Sequence, residues 1–384
     1  MALKVDTDIP YGNACGVTVR DTDGIAEVSF APDPHGGPEC LWFCFRLAQI
    51  EASGARNKVR LVLEHSYNML GGHSPLRMRP VLRYAEGDWQ RLDAGTVEDL
   101  PDGRNRVSWE LQAPASFVDV AYCYPYGRPE IDALVRETNG CWRADVIGAS
   151  QGARPLVRLS NDYGEVGSDR PGLYLVARQH SGETPGSWVL DGLLRHFGAI
   201  GQDGPLVWAV PLTNVDGVEG GDYGKDNFPY DLNRAWGNPP MRHEVLVLQR
   251  DIERWAKRCR PVLAIDFHAP GACEKDGIYA YVPDPAQYPN LHSSVLEWTT
   301  AMRSVLGRQY AAETFDRIAD YPSRWETPSF SRYFWFQHGV CSLGVETPYA
   351  LAGELVLTRE RYQEAGARIA ESVVKRLRVK GEGR

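Results

Sequence analysis

The sequence predicts an α/β protein in which an all-β sandwich domain precedes a domain with a mixed, mainly parallel central sheet flanked by helices. In the first third of the chain, short alternating or aromatic-rich apolar runs are separated by Gly, Pro, Asp and Asn, without a long helical period. In the remainder, strand-like apolar runs alternate with segments of helical periodicity. Four of these later runs are continuously apolar, as is typical of strands buried on both faces.

The N-terminal region contains apolar runs of strand length. They are Ile25–Phe30, Leu41–Leu47, Val59–Leu63, Val81–Tyr84, Val107–Leu111 and Phe117–Tyr122. A short helix over Glu130–Glu137 leads to a turn at Thr138, Asn139 and Gly140. With 384 residues, the chain is too long for one ordinary hydrophobic core. We therefore predict a sandwich domain over residues 1–138 and a second domain over residues 139–384.

The second region alternates between strands and helices. Its continuously apolar runs are Leu173–Arg178, Leu206–Val210, Val262–Phe267 and Cys341–Val345. Apolar residues at helical spacing predict helices over Trp188–Phe197, Val245–Trp255, Leu291–Leu306 and Tyr362–Leu377, the last with Thr358 as N-cap. This alternation predicts helices that cover a central sheet.

Composition and charge indicate an ordinary water-soluble protein, with 43% hydrophobic and 24% charged residues. The formal net charge of -8 argues against broad nucleic-acid binding. No apolar run has the length of a membrane span, and the N-terminus does not resemble a signal peptide. The eight cysteines lie singly and predict reduced thiols. We expect a cytoplasmic location without nucleic-acid or membrane partners, and the sequence leaves the oligomeric state open.

Metal-ligand residue types follow two of the apolar runs. His180 and Glu183 lie three residues apart at a predicted strand-to-helix turn, and His268 follows another strand. Ligands in open α/β sheets collect at the carboxyl ends of strands. Two histidines and one glutamate leave a fourth position for water, which is typical of a catalytic zinc site. A histidine and a first-turn glutamate favoured by the helix dipole would explain the local pattern alone. Because of the strand-end context, we predict one zinc ion per chain.

Other strand ends carry candidate catalytic and binding residues. Glu346 ends an apolar run, and a buried carboxylate is costly unless it is paired or functional. Beside a metal site it could act as a general base, the alternative being a structural ion pair. Asn233 and Arg234 combine an amide with a planar guanidinium, which can hold a carboxylate at two points. A surface turn arginine is the alternative for Arg234.

These residues, in their order along the chain, resemble the motifs of the zinc metallocarboxypeptidase family. The matching segments are His180-x-x-Glu183, Asp231-Leu-Asn233-Arg234, His268 and Gly344-Val-Glu346. The segments Leu41–Arg46, Met78–Val81 and Ala121–Tyr126 resemble the β-sandwich that precedes the catalytic domain in cytosolic carboxypeptidases. The resemblance implies that residues 139–384 form the catalytic domain, and it covers nearly the whole chain.

The resemblance also implies a reaction and its participants. Zinc would be held by His180, Glu183 and His268, with Glu346 as base, and Asn233 and Arg234 would bind the terminal carboxylate of a peptide or protein substrate. The implied reaction is hydrolysis of a C-terminal peptide or isopeptide-like amide. Two alternatives are a zinc deacylase or amidase acting on N-acyl amino acids, and a peptide-binding pseudo-hydrolase.

The chain departs from the family pattern in the loop before Asp231. Cytosolic carboxypeptidases usually have an arginine after Gly-Asn-Tyr, and it polarises the scissile carbonyl. Here Gly224 takes that place and Lys225 follows. Either Lys225 takes over the role or the metal acts alone. Relatives that remove glutamate imply basic residues near the pocket, and Arg324 and Arg332 are the candidates upstream of Glu346.

Overall fold

Short strands build the N-terminal region of the chain. The computed structural model describes residues 3–22, 24–49, 58–85, 87–225, 230–320 and 326–382. The N-terminal strands are β1 (Leu3–Asp6), β2 (Cys15–Thr22), β3 (Ile25–Ala31), β4 (Cys44–Gln49), β5 (Lys58–Glu64), β6 (Val81–Tyr84), β7 (Gln90–Arg91), β8 (Thr96–Asp99), β9 (Asn105–Gln112) and β10 (Phe117–Ala121). They form two five-stranded sheets, of order β1-β4-β10-β6-β7 and β2-β3-β5-β9-β8.

The predicted N-terminal strands are present, with one shifted start. The run from Leu41 was predicted as strand, but β4 begins at Cys44. Strands β1, β2, β7 and β8 were not predicted from the sequence. Strand β2 is exposed or half-buried along its whole length, β7 has two residues and β8 is mostly exposed. Such strands carry no buried face, and therefore no hydrophobic alternation marks them.

The second region begins after helix α1 (Arg128–Glu137), which matches the predicted helix. Its elements are β11 (Arg143–Ala149), β12 (Pro155–Ser160), β13 (Pro171–Ala177), α2 (Thr184–Ile200), β14 (Leu206–Val210), α3 (Val215–Gly220), α4 (His243–Ala256), β15 (Arg260–His268), β16 (Ile278–Tyr281), α5 (Pro289–Tyr310), β17 (Ala311–Arg317), α6 (Phe330–Tyr333), β18 (Ser342–Glu346), β19 (Leu351–Ala352), β20 (Leu355–Val356) and α7 (Arg359–Glu382). The four predicted helices correspond to α2, α4, α5 and α7. Thr358 caps α7 as predicted, since its Oγ1 accepts from the Arg361 N–H at 3.4 Å.

An eight-stranded sheet of order β11-β12-β14-β13-β15-β18-β16-β17 forms the centre of this region. Strands β14, β13, β15 and β18 are mutually parallel neighbours, whereas β11, β12 and β16 introduce antiparallel pairs. The prediction of a mixed, mainly parallel central sheet flanked by helices is confirmed.

Helices cover both faces of this sheet, which explains the continuous apolar runs. Along β13, Leu173 and Leu175 belong to the core that includes α2 and α7. The alternating residues Tyr174 and Val176 belong to a separate core with α4. Because successive strand residues point to opposite faces, a strand covered on both sides must be apolar throughout.

Helix α2 lies directly on β15, the strand that ends at His268. A Cβ atom at Gly186 would lie 2.6 Å from the carbonyl oxygen of Phe267, so only glycine fits this approach. The contact brings the first turn of α2 close to the end of β15. It therefore fixes the distance between the two segments that carry the predicted metal ligands.

The N-terminal sheets share one continuous hydrophobic core with the α2 side of the central sheet. The ring of Tyr122 lies 5.5 Å from that of Phe43 and 5.0 Å from that of Tyr349, between centroids. The Tyr126 and Trp188 rings meet edge to face at 4.9 Å. Such aromatic pairs add stability beyond the area that they bury.

All eight cysteines are free thiols, four buried and four half-buried. Among the helices of the described residues, none combines the length and the apolar character that crossing a membrane requires.

Candidate active site

The carboxyl ends of four parallel strands meet at one edge of the central sheet, as the sequence predicted. Strands β14, β13, β15 and β18 run side by side in the same direction. The last residues of two of them, His268 and Glu346, are register partners. Neighbouring strands lie about 4.8 Å apart, so these two residues stand next to each other at the sheet edge.

The predicted metal ligands converge at this edge. His180 and Glu183 lie in the turn between β13 and α2, and His268 ends β15. The side chains of all three residues are buried. Glu183 Oε1 lies 3.0 Å from His180 Nδ1, and its Oε2 lies 2.7 Å from His268 Nδ1. One donor atom from each residue lies within 4.8 Å of the other two. Two imidazole nitrogens and a carboxylate oxygen facing one point are a donor set that fits a zinc ion.

The turn that presents His180 is held by a buried arginine. Arg178 adopts φ 62°, in the left-handed region, which costs a non-glycine residue about 1–2 kcal/mol. Its buried guanidinium donates to the carbonyl of Ser181 at 2.6 Å and to the carbonyl of Tyr126 at 2.8 Å. The surrounding structure thus imposes an unfavourable backbone conformation at the start of the metal-ligand turn.

Each histidine contacts a second carboxylate on the ring edge away from Glu183. His180 Nε2 lies 3.2 Å from Asp231 Oδ1, and His268 Nε2 lies 2.5 Å from Asp266 Oδ2. Such carboxylates orient a ligand imidazole and raise its basicity. Asp231 belongs to a segment that matches the family motif but had no predicted role, and Asp266 was not predicted as a site residue. Asp266 and His268 are two residues apart on one strand and share a face, so this pairing could have been predicted.

Glu346 is half-buried beside the histidines. Its Oε2 is buried and has no hydrogen-bond partner among the described residues, which argues against a purely structural ion pair. Burial raises the pKa of Glu346 to about 7; nearby Glu183 adds to this rise, while His268 and Lys225 oppose it. A carboxyl group with a pKa near neutrality can both take up and release a proton.

Asn233 and Arg234 lie in a short 3₁₀ turn that faces the same space. Asp231 accepts from the Asn233 N–H at 2.9 Å and fixes the start of this turn. The Asn233 amide lies between two neighbours. Its Oδ1 accepts from the Phe330 N–H at 3.1 Å, and its Nδ2 lies 3.0 Å from His268 Nε2. Both residues line the cleft that contains the candidate metal ligands.

Lys225 lines the cleft from the loop that follows α3. Its Nζ lies 3.5 Å from Glu39 Oε2 and 5.5 Å from the ring centroid of Tyr223. Burial by itself would lower the pKa of Lys225, but the nearby carboxylates of Glu183, Glu39 and Glu346 outweigh it and raise the pKa. The ammonium group therefore stays charged. Glu39 was not predicted as a site residue, because an isolated glutamate in an N-terminal loop carries no sequence signal.

The cleft has a volume of about 660 Å³ and extends well beyond these residues. Its lining includes four aromatic and four further charged side chains. They are Tyr279, Tyr281, Tyr288, Trp335, Glu274, Asp284, Glu326 and Arg332. Arg332 therefore lines the cleft, together with the carboxylates of Glu274, Asp284 and Glu326. Arg324, the other basic candidate, lies outside the described residues.

Comparison with known proteins identifies relatives of one kind. The chain is 32% identical to cytosolic carboxypeptidase 6 of Mus musculus over 267 residues, which cover 64% of this chain and 48% of that protein. It spans about half the length of the curated relatives that it matches first. No family model matches the chain.

Solved structures match almost the whole chain. A metallo-carboxypeptidase from Burkholderia cenocepacia superposes with a TM-score of 0.78 at 18% identity, covering 99% of this chain and all of that one. A metallo-carboxypeptidase from Pseudomonas aeruginosa superposes with a TM-score of 0.72 at 18% identity, covering 97% and 98%. The resemblance inferred from the motifs is therefore confirmed: the chain has the metallo-carboxypeptidase fold and, in sequence, resembles the cytosolic carboxypeptidases.

Proposed function

We propose that the protein is a zinc-dependent carboxypeptidase that hydrolyses a C-terminal peptide or isopeptide-like amide. The observation that carries the proposal is the convergence of His180, Glu183 and His268 beside Glu346, whose buried Oε2 lacks a hydrogen-bond partner in the described chain. A carboxylate left unsatisfied at that depth is costly unless it serves chemistry. The names of the curated relatives agree with this activity.

In this proposal, His180, Glu183 and His268 hold one zinc ion per chain. When bound, zinc would supply a Lewis acid that activates a water molecule and polarises the scissile carbonyl. Asp231 and Asp266 keep the two imidazoles in the orientation that the ion requires, because each accepts from the ring nitrogen that faces away from Glu183.

Glu346 acts as general base and then as general acid. It takes a proton from the attacking water and returns it to the leaving amine. Its raised pKa of about 7 describes a group able to exist in both forms near neutral pH. A bound cation nearby would lower this pKa and favour the basic form.

Two groups of residues position the substrate around this chemistry. Asn233 and Arg234 bind the terminal carboxylate through an amide and a planar guanidinium fork. Lys225 offers its ammonium group to the carbonyl oxygen, where negative charge develops as water attacks. All three residues line one cleft with the candidate metal ligands, which supports this arrangement.

We also propose that residues 1–138 form a β-sandwich domain and residues 139–384 the catalytic domain. Strands β1 to β10 pair among themselves, and the paired strands of the eight-stranded sheet all follow residue 142, which supports this division. A cytoplasmic location is proposed because the curated relatives are named cytosolic.

A peptide library tests the proposed activity. Peptides that differ only in the C-terminal residue would be offered as free acids and as amides, with N-acyl amino acids included, before and after chelation. We expect cleavage of the free acids, its loss on chelation and its recovery with added zinc. Hydrolysis that survives chelation would contradict the proposal, as would exclusive activity on N-acyl amino acids. The preferred C-terminal residue is measured in the same experiment.

A further inference from the structure

We propose that Glu39, in the N-terminal region, is a positioning residue that holds Lys225 beside the candidate metal site. The inference rests on the proposed function, in which Lys225 acts on the scissile carbonyl. It makes the N-terminal region part of the catalytic machinery rather than an adjacent module.

The first observation is that N-terminal side chains anchor the loop that carries Lys225. The buried Asn13 donates from Nδ2 to the carbonyl of Gly221 at 2.8 Å. Next to it, His35 Nδ1 lies 2.6 Å from Asp222 Oδ1. Two consecutive residues of the loop are thus attached to the N-terminal region before the chain reaches Lys225.

The same loop is attached to the metal-ligand turn on its other side. Ser181 Oγ donates to the carbonyl of Asp222 at 2.9 Å, and the Gly182 N–H donates to the carbonyl of Tyr223 at 2.9 Å. Gly224 adopts φ 97°, which L-residues rarely reach, and this conformation directs the next residue. The loop backbone is therefore fixed up to the base of the Lys225 side chain.

The side chain of Lys225 still has four rotatable bonds. The ion pair with Glu39 restricts the position of its terminal ammonium group. The two charged groups lie 3.5 Å apart, with side chains only 22% and 19% exposed. Both line the cleft together with His180 and Glu183. Ion pairs that are partly withdrawn from water are screened less by salt than surface pairs.

A competition among carboxylates explains why Glu39 is required. Glu183 and Glu346 also attract the ammonium group of Lys225. If the ammonium moved onto Glu183 it would occupy a candidate metal ligand, and on Glu346 it would neutralise the proposed base. Glu39, whose Oε2 lies 3.5 Å from the ammonium nitrogen, competes with both for this charge.

The test is a double-mutant cycle on the full chain with a peptide substrate found in the library. We expect Glu39→Gln to lower kcat about tenfold with KM within about twofold, a part of the 10²–10³ that losing such a donor costs. Glu39→Asp should recover part of the loss. In a Lys225→Ala background, Glu39→Gln should have no further effect, because the residue acts through Lys225. Glu98→Gln, which breaks a surface pair with Arg106, is the matched control.

A second measurement does not depend on catalysis. The rate at which an amine-reactive acylating reagent labels Lys225, followed by mass spectrometry, should rise in Glu39→Gln and stay unchanged in Glu98→Gln. Unchanged labelling, unchanged kcat, or losses that add in the double mutant would overturn the inference. If the wild-type protein cleaves no peptide, the proposed function fails, and the labelling rate still decides whether Glu39 holds Lys225.

Discussion

Replacing Asp266 by asparagine tests how the candidate metal site is held together. Asp266 is 2% exposed, and its Oδ2 lies 2.5 Å from His268 Nε2 and 2.5 Å from Gln179 Nε2. Asparagine keeps the shape of the side chain but removes the negative charge that faces the imidazole. The change therefore tests the electrostatic contribution of this carboxylate to metal binding.

The expected magnitude follows from these contacts. Loss of a carboxylate that orients a ligand histidine costs 10- to 100-fold in metal affinity, about 1.4–2.8 kcal/mol. The Oδ1 atom of Asp266 is buried without a hydrogen-bond partner among the described residues. An asparagine NH₂ in that position would lack an acceptor, which adds a folding cost of about 1–3 kcal/mol. We expect weaker zinc binding together with a lower unfolding temperature.

Zinc affinity would be measured by competition with a chromophoric chelator. The matched control is Asp251→Asn, which removes another buried carboxylate, bound to Arg158 and Tyr174 away from the cleft. The control should lose stability and keep its zinc affinity. If Asp266→Asn binds zinc within about twofold of wild type, the proposed role of this carboxylate is wrong.

Three further predictions concern the base, the carboxylate contact and the packing of α2. Glu346→Gln should retain zinc by elemental analysis and lose at least ~10²-fold in kcat, and near-normal turnover would remove it from the mechanism. Amidating the substrate C-terminus should lower kcat/KM about ten- to a hundredfold, and Arg234→Lys should be impaired on the free acid; equal cleavage of acid and amide would exclude this contact. Gly186→Ala should cost about 1–3 kcal/mol in thermal unfolding, because its Cβ would lie 2.6 Å from a backbone oxygen. Gly87→Ala, with its nearest neighbour at 3.7 Å, should be nearly neutral.

The hydrophobic pattern determined the main elements of the fold. Helices α4, α5 and α7 each bury one face, so their period is visible in the sequence, whereas α2 is buried on all sides from Thr184 to Leu194. Strands β13 and β14 are buried on both faces and read as continuous apolar runs. Elements without such a pattern, such as the exposed β2 and the four-residue α6, were missed. For these, tertiary contacts rather than local preference decide the conformation.

The candidate metal ligands were accessible to sequence reasoning for a geometric reason. His180 and Glu183 are close along the chain, and parallel strands bring their carboxyl ends to one edge. The sequence thus determined that His268 and Glu346 would join them. It also indicated that Lys225 lies one position after the place where an arginine was expected, without showing which group its ammonium faces.

Only the tertiary structure decided which distant groups complete the site. Glu39 pairs with Lys225, and Asn13 with Gly221, across loops that are far apart in the sequence. Contacts of this kind follow no helical or strand period, because they depend on how the N-terminal sheets dock against the second region. Periodicity reports which face of an element is buried, whereas the partner that buries a polar side chain is set by the packing of the whole chain.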